Sequence, residues 1–175
     1  MELQKCIDER RSIRKFLDKP VSKDLILEIV KAAQKAPSWK NSQVSRYYVA
    51  DETRDEIFAC LPGFNQNSTE NAPVYIVSTI VKNRSGFERD GSYSSHLKDG
   101  FQYFDNGLQV QNFCLKAYEL GLGTLIMGLY DVDKVREILE IPAEQEIVSI
   151  IALGYPDIEP VMPIRKPTED IVIFK

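Results

Sequence analysis

Residues 9–16 read ERRSIRKF, which sets Arg10, Arg11, Arg14 and Lys15 around the hydroxyl of Ser12. A guanidinium fork donates two parallel hydrogen bonds to a phosphate, and a serine hydroxyl adds a neutral donor. The chemistry on offer is capture of a small anion, with a solvated charged face as the plainer alternative. A second basic pair, Arg165 and Lys166, lies near the other end of the chain, so the two clusters bear on one ligand only if the fold joins them. Between them, PSWKNSQ gathers Ser38, Lys40, Asn41, Ser42 and Gln43. Such amides can complement the imide edge of a flat heterocycle, or simply make turns. GLGTLIMGL, residues 121–129, holds three glycines, of which Gly128 can let backbone approach a ligand plane or can mark a bulge.

Other chemistries lack material. His96 is the one histidine, in a polar stretch, so no His-based metal site or Ser/His/Asp triad is expected. Cys6, Cys60 and Cys114 are scattered and unmatched, which predicts buried thiols in a reducing cytoplasm rather than disulfides or a zinc site. A formal net charge of -4 gives no broad basic field for nucleic acid. The opening MELQKCIDERR has no apolar core, and no long apolar run follows, so neither a signal peptide nor a membrane span is expected. The 175 residues fit one domain, 1–175.

The elements that must position these residues read as follows. Leu3, Cys6, Ile7 and Arg10 space a short first helix. Ser22 can cap a second, with the stripe Leu25, Ile26, Ile29, Val30 and Ala33, stopped by Pro37. RYYVA (46–50) reads as a strand, and Thr53 with Glu56 as a capping box for a short helix ending at Pro62-Gly63. PVYIVSTIV (73–81) and EIVSIIALGY (146–155) read as strands buried on both faces. The polar stretch 82–100 between them is long enough for a mobile lid or binding loop. From Asp99 to Leu120 runs the longest helix, apolar around much of its circumference, with Gly121 as C-cap. A strand at TLIMGLY and a helix through Val132, Val135, Ile138 and Leu139 follow. Residues 156–175 carry Pro156, Pro160, Pro163 and Pro167 yet finish with the apolar IVIF. This tail is either an edge strand on its own subunit or an arm that adds a strand to a partner. No G-x-G-x-x-G or G-x-x-x-x-G-K-[ST] turn occurs, so a bound phosphate must be held by side chains.

In order, RRSIRKF, AAQKAPSWKNSQ, APVYIV, DNGLQVQN, GLGT and IALGYP resemble the nitroreductase family of FMN-dependent oxidoreductases over about 150 residues. The resemblance implies an α+β fold with a small, mostly antiparallel sheet flanked by helices, and a homodimer with an exchanged C-terminal arm. It also implies FMN at each interface, reduced by NAD(P)H and reoxidised by a small electron-poor acceptor such as a nitroaromatic or quinone in a ping-pong cycle. Carried over by motif, Arg10, Ser12 and Arg14 would hold the FMN phosphate, with Arg11 lending backbone contact and Arg165 a second charged ligand. Pro37, Ser38, Asn41 and Gln43 would line the flavin from the partner subunit, with Asn65, Met127 and Gly128 beside the ring. No side-chain acid or nucleophile and no metal is expected. A flavin-binding module that senses or stabilises without turnover is the alternative. Where the family commonly reads S-Q-P-W, this chain has Ser42-Gln43-Val44-Ser45, with Trp39 upstream.

Overall fold

The protein, described here by a computed structural model covering residues 2–175, is built on four strands. These are β1 (Ser45–Ala50), β2 (Val74–Val81), β3 (Gly123–Met127) and β4 (Gln145–Gly154), all antiparallel, in the order β1-β2-β4-β3. The two strands whose sequences lack apolar/polar alternation take the middle, because only there are both faces covered. Along β2, Val74 and Ile76 face one core while Tyr75 and Val77 face the other. On β4 the same division separates Ile151 and Leu153 from Ile150 and Ala152.

Helices supply the covers. The first core is closed by α2 (Lys23–Ala33) and α5 (Gly100–Glu119), through Ile26, Ile29, Ala33, Val110, Phe113 and Ala117. The second is closed by α3 (Arg54–Ala59) and α6 (Val132–Ile138), through Ile57 and Val135. Each fully buried isoleucine contributes about 2 kcal/mol by leaving water. Helix α1 (Leu3–Glu9) buries only Cys6. The Ser22 hydroxyl accepts the Leu25 N–H at 3.3 Å, as its spacing predicts, and Gly121 ends α5 at φ 78°.

The structure corrects four expectations. Thr53 sits at φ -94°, ψ 18° and its side chain makes no cap hydrogen bond, so α3 starts without the capping box. A helix absent from the sequence reading, α4 (Gly63–Thr69), follows Pro62. GFNQNST has no apolar stripe to announce it; its C-terminal end is held by Arg54, which donates to the carbonyls of Thr69, Glu70 and Ala72. The first half of α5 buries polar groups, Gln102, Asp105, Asn106 and Gln109, while Phe104 is 57% exposed. Lastly, the tail is not an edge strand on its own subunit. Among the described residues nothing pairs with it beyond Asp157, it forms one short turn at Thr168–Asp170, and Ile164 and Phe174 are 99% and 94% exposed.

The arginine-bearing segment is stitched to the sheet. Ile13 N–H donates to Thr124 O, Leu17 N–H to Tyr155 O and Asp157 N–H to Lys15 O, each at 2.9 Å. Ile13 and Phe16 point into the core, which turns Arg14 and Lys15 outward. The approach is close because residue 123 has no side chain. A Cβ there would lie 2.9 Å from Ile13 Cβ and 3.1 Å from Pro156 Cγ. Gly123→Ala should therefore cost about 1–3 kcal/mol of stability in urea melts, by overpacking against the Ile13 and Pro156 side chains, which their paired backbone holds in place.

Candidate functional site

The fold brings the two basic clusters together. Arg10, Arg11, Ser12 and Arg14 from the stitched segment, with Pro160, Val161, Pro163 and Arg165 from the tail, line a cavity of about 300 Å³. Among the described residues none of these four arginines has a carboxylate partner, whereas neighbouring Lys15 is paired with Asp157 at 2.7 Å. The Arg11 guanidinium donates to Arg10 O at 2.8 Å, which commits one of its donors. Guanidinium groups converging without counter-charge repel one another unless an anion lies between them. A larger hollow of about 410 Å³ adjoins, sharing Arg10 and Arg11 and lined also by Ile13, Tyr118, Thr124 and Met162. Here the Tyr118 hydroxyl donates to Glu9 Oε2 at 2.6 Å, tying the end of α1 to α5 just ahead of Arg10. That hydrogen bond, reinforced by partial burial, pushes the Tyr118 phenol up to about 12.

The 37–43 loop is held in a conformation that its residues do not prefer. Lys40, Asn41 and Gln43 have φ of 47°, 54° and 49°. Left-handed backbone costs an L-residue roughly 1–2 kcal/mol, less for asparagine. Opposing this, Trp39 N–H and the Ser42 hydroxyl donate to Asp105 Oδ2 at 2.9 and 3.3 Å, and Gln43 N–H donates to Ser38 Oγ at 3.1 Å. Trp39 packs on Phe101 with ring centroids 4.4 Å apart. Val44 and Ser45 are buried, so the aromatic weight that the family pattern places after the glutamine is carried here from upstream. Pro37, Asn41 and Gln43 are left exposed.

A third group forms at the far end of β3. The Asn65 amide on α4 donates to Leu129 O at 3.4 Å, which sets it against the turn holding buried Met127 and exposed Gly128. No neighbouring atom comes within 4 Å of where a Gly128 Cβ would stand. Thus β3 carries the arginine segment at its start and the Asn65–Gly128 turn at its end, about 13 Å along at 3.3 Å per residue. The 37–43 loop leads into β1, at the opposite edge of the sheet. Three strand spacings, about 14 Å, separate the two edges within one chain.

Two polar residues in this region escaped the sequence reading as site elements. Asp105 opens the DNGLQVQN segment quoted for the family resemblance and falls at i+4 from Phe101 and i-3 from Leu108, so a motif residue and an acid on an apolar stripe were the available signals. Ser85, which donates to the same Asp105 oxygen at 2.6 Å, had none, being one serine in a polar stretch. The remaining chemistry-bearing side chains stand apart. His96 is exposed, and all three cysteines are buried and free. Burial pushes the Cys60 and Cys114 thiols up, away from nucleophilic thiolate. Among the described residues there is no cluster of ligating side chains for a metal ion, and no helix long and apolar enough to cross a membrane.

An antiparallel sheet between helices, with an arginine-lined cleft at one edge strand, defines an α+β protein equipped to hold a small anion. The chain belongs to the nitroreductase family, whose family model matches residues 7–61 and 60–155. It is 28% identical to a protein of Thermus thermophilus named NADH dehydrogenase, over 95% of this chain and 93% of that one. It is also 28% identical to the FMN reductase [NAD(P)H] of Bacillus subtilis, over 89% of this chain and 66% of that one. In fold it superposes on an Exiguobacterium sibiricum protein solved in complex with FMN, with TM-score 0.87 and 23% identity, covering 100% of this chain and 98% of that one.

The Tyr118–Glu9 contact has a measurable signature. A phenol held above its usual value of about 10 contributes stability that is full below that pH and is lost as pH rises toward 12. Tyr118→Phe should accordingly lose less stability than the parent between pH 10 and 12 in denaturant melts.

Proposed function

We propose that the chain is an FMN-dependent oxidoreductase that draws on NAD(P)H and reduces a small electron-poor acceptor, a nitroaromatic or quinone, in a ping-pong cycle. The observation that carries this reading is the meeting of Arg10, Ser12, Arg14 and Arg165 around one cavity lined by no carboxylate, with none within ion-pair distance of these arginines among the described residues, although Glu9 and Glu159 line the adjoining hollow. A phosphate monoester fits that donor set. The guanidinium forks supply charge and paired hydrogen bonds, and the serine hydroxyl fills a remaining lone pair. The edge of β3 then runs about 13 Å toward Asn65, Met127 and Gly128, a span suited to a ligand with its phosphate at one end and a flat ring at the other. FMN, when bound, would supply the redox chemistry, accepting hydride from the nicotinamide and passing electrons to the acceptor.

The protein's own residues bind, orient and tune. Left-handed backbone fixes the directions in which Asn41 and Gln43 leave the chain, so their amides would reach the ring's polar edge with little backbone reorganisation as negative charge develops there. We assign no catalytic acid, base or nucleophile. The 37–43 loop and the arginines occupy opposite sheet edges, so a homodimer in which the partner's loop lies over each arginine cleft would bring both to one flavin. The exposed IVIF of the tail supplies apolar surface for that pairing, as an arm laid on the partner. The free cysteines suit a reducing cytoplasm.

The purified protein should show a flavin visible spectrum that bleaches under anaerobic NADH or NADPH, and Asn41→Ala or Gln43→Ala should retain turnover. Arg10→Ala and Arg165→Ala should each weaken FMN about 10- to 100-fold in equilibrium dialysis, the effect of losing one charged hydrogen-bond partner. Retention should also fall below about pH 6, where the phosphate takes up its second proton and loses charge. A flavin-free protein defeats the proposal, and bound flavin that NAD(P)H does not bleach would make the chain a non-catalytic flavin module. As a separate check on assembly, Ile173→Asp with Phe174→Asp should convert a dimer to a monomer in sedimentation while leaving Arg165 in place.

A further inference from the structure

Two loops that look independent in the sequence share one anchor. Asp105 is 1% exposed, and its Oδ2 accepts from Trp39 N–H and Ser42 Oγ of the 37–43 loop and from Ser85 Oγ of the 82–100 loop, at 2.9, 3.3 and 2.6 Å. The polar stretch is not a free lid at its base. Ser85 and Gly86 are buried, a Cβ at Gly86 would collide with the Lys98 carbonyl, and Phe87 bridges to Tyr93 with rings 5.0 Å apart. Lys40 adds a second tie, its Nζ lying 2.8 Å from Glu88 Oε1.

We infer that Asp105 is a positioning residue of the flavin site, a buried carboxylate that fixes the left-handed 37–43 loop and registers the 82–100 loop against it. The inference rests on the reading of the site as a flavin site. It goes beyond it by assigning ring-side preorganisation to a residue that need not touch the cofactor. A neutral amide at this position lacks the charge that strengthens all three hydrogen bonds, and it brings two donors of its own among them. Released from its anchor, the loop relaxes from positive φ and its exposed amides lose their fixed direction.

FMN and riboflavin separate this role from the phosphate site, because the arginines act on FMN alone whereas the loop acts on the ring that both share. Asp105→Asn should weaken FMN and riboflavin by the same factor, about tenfold, leave their affinity ratio unchanged, and shift the flavin midpoint potential. Arg10→Ala should collapse that ratio. Ser85→Ala, which frees only the second loop, should change KM for nicotinamide or acceptor more than flavin affinity. Where Asp105→Asn does not fold, the Ser42→Ala/Ser85→Ala double variant removes two donors with Asp105 intact and should show the same pattern at smaller size. Parental riboflavin affinity and potential in either variant, or a loss confined to FMN, overturns the inference. An affinity ratio unmoved by Arg10→Ala overturns the phosphate site instead and leaves the Asp105 result to stand or fall on riboflavin.

Discussion

Three backbone hydrogen bonds between residues 13–17 and the strand ends at Thr124, Tyr155 and Asp157 decide where the positive charge of this protein goes. A run of arginines left to itself spreads through solvent. Here Ile13 and Phe16 are drawn into the core, the intervening backbone is paired, and the guanidinium groups are left on one side with little freedom to diverge. The same stitching fixes the course of the tail, because Asp157, which pairs with Lys15 through both backbone and side chain, is where the tail departs. Arg165 therefore reaches the cleft by a route that starts at the stitched segment itself.

The parts of this architecture legible in the sequence are those governed by local rules. β2 and β4 announced themselves by nearly continuous apolar runs, α2 by its serine cap and stripe, and the end of α5 by Gly121. The arginine and amide segments were legible as residue types, and their assignment to a flavin came from the family pattern rather than from their spacing. What could not be read depends on distant partners. Helix α4 has no stripe and is held by Arg54, nine residues before it begins. The Thr53 box failed because the preceding turn leaves that residue outside the extended backbone that a cap needs. That Arg165 shares a cavity with Arg10 depends on the path of some ten irregular residues, which carry no periodicity to read.

Helix α5 shows how a surface rule can invert. Its first half exposes Phe104 and Tyr103 and buries Asp105 and Asn106, the reverse of an amphipathic helix in water. The buried groups are satisfied: Asn106 donates to the Ser45 and Ser78 hydroxyls at 3.0 and 2.8 Å while Asp105 gathers its three donors. Such a network tolerates no partial loss, since each unpaired member would keep its desolvation cost. It therefore specifies one arrangement of the loops around it, which a purely apolar contact would not.

Every copy of this chain carries β1 as an edge strand and the exposed apolar IVIF of the tail. A reciprocal exchange uses both tails and both edges and closes on itself, whereas a one-way exchange leaves one of each at the ends and can continue indefinitely. In the proposed arm exchange, geometry at the Pro156–Pro167 stretch would decide between the two, because its prolines limit the directions in which the tail can leave. In that proposed assembly these prolines would stand between a finite pair and an open polymer, so their replacement by flexible residues would bear on solubility before it bears on chemistry.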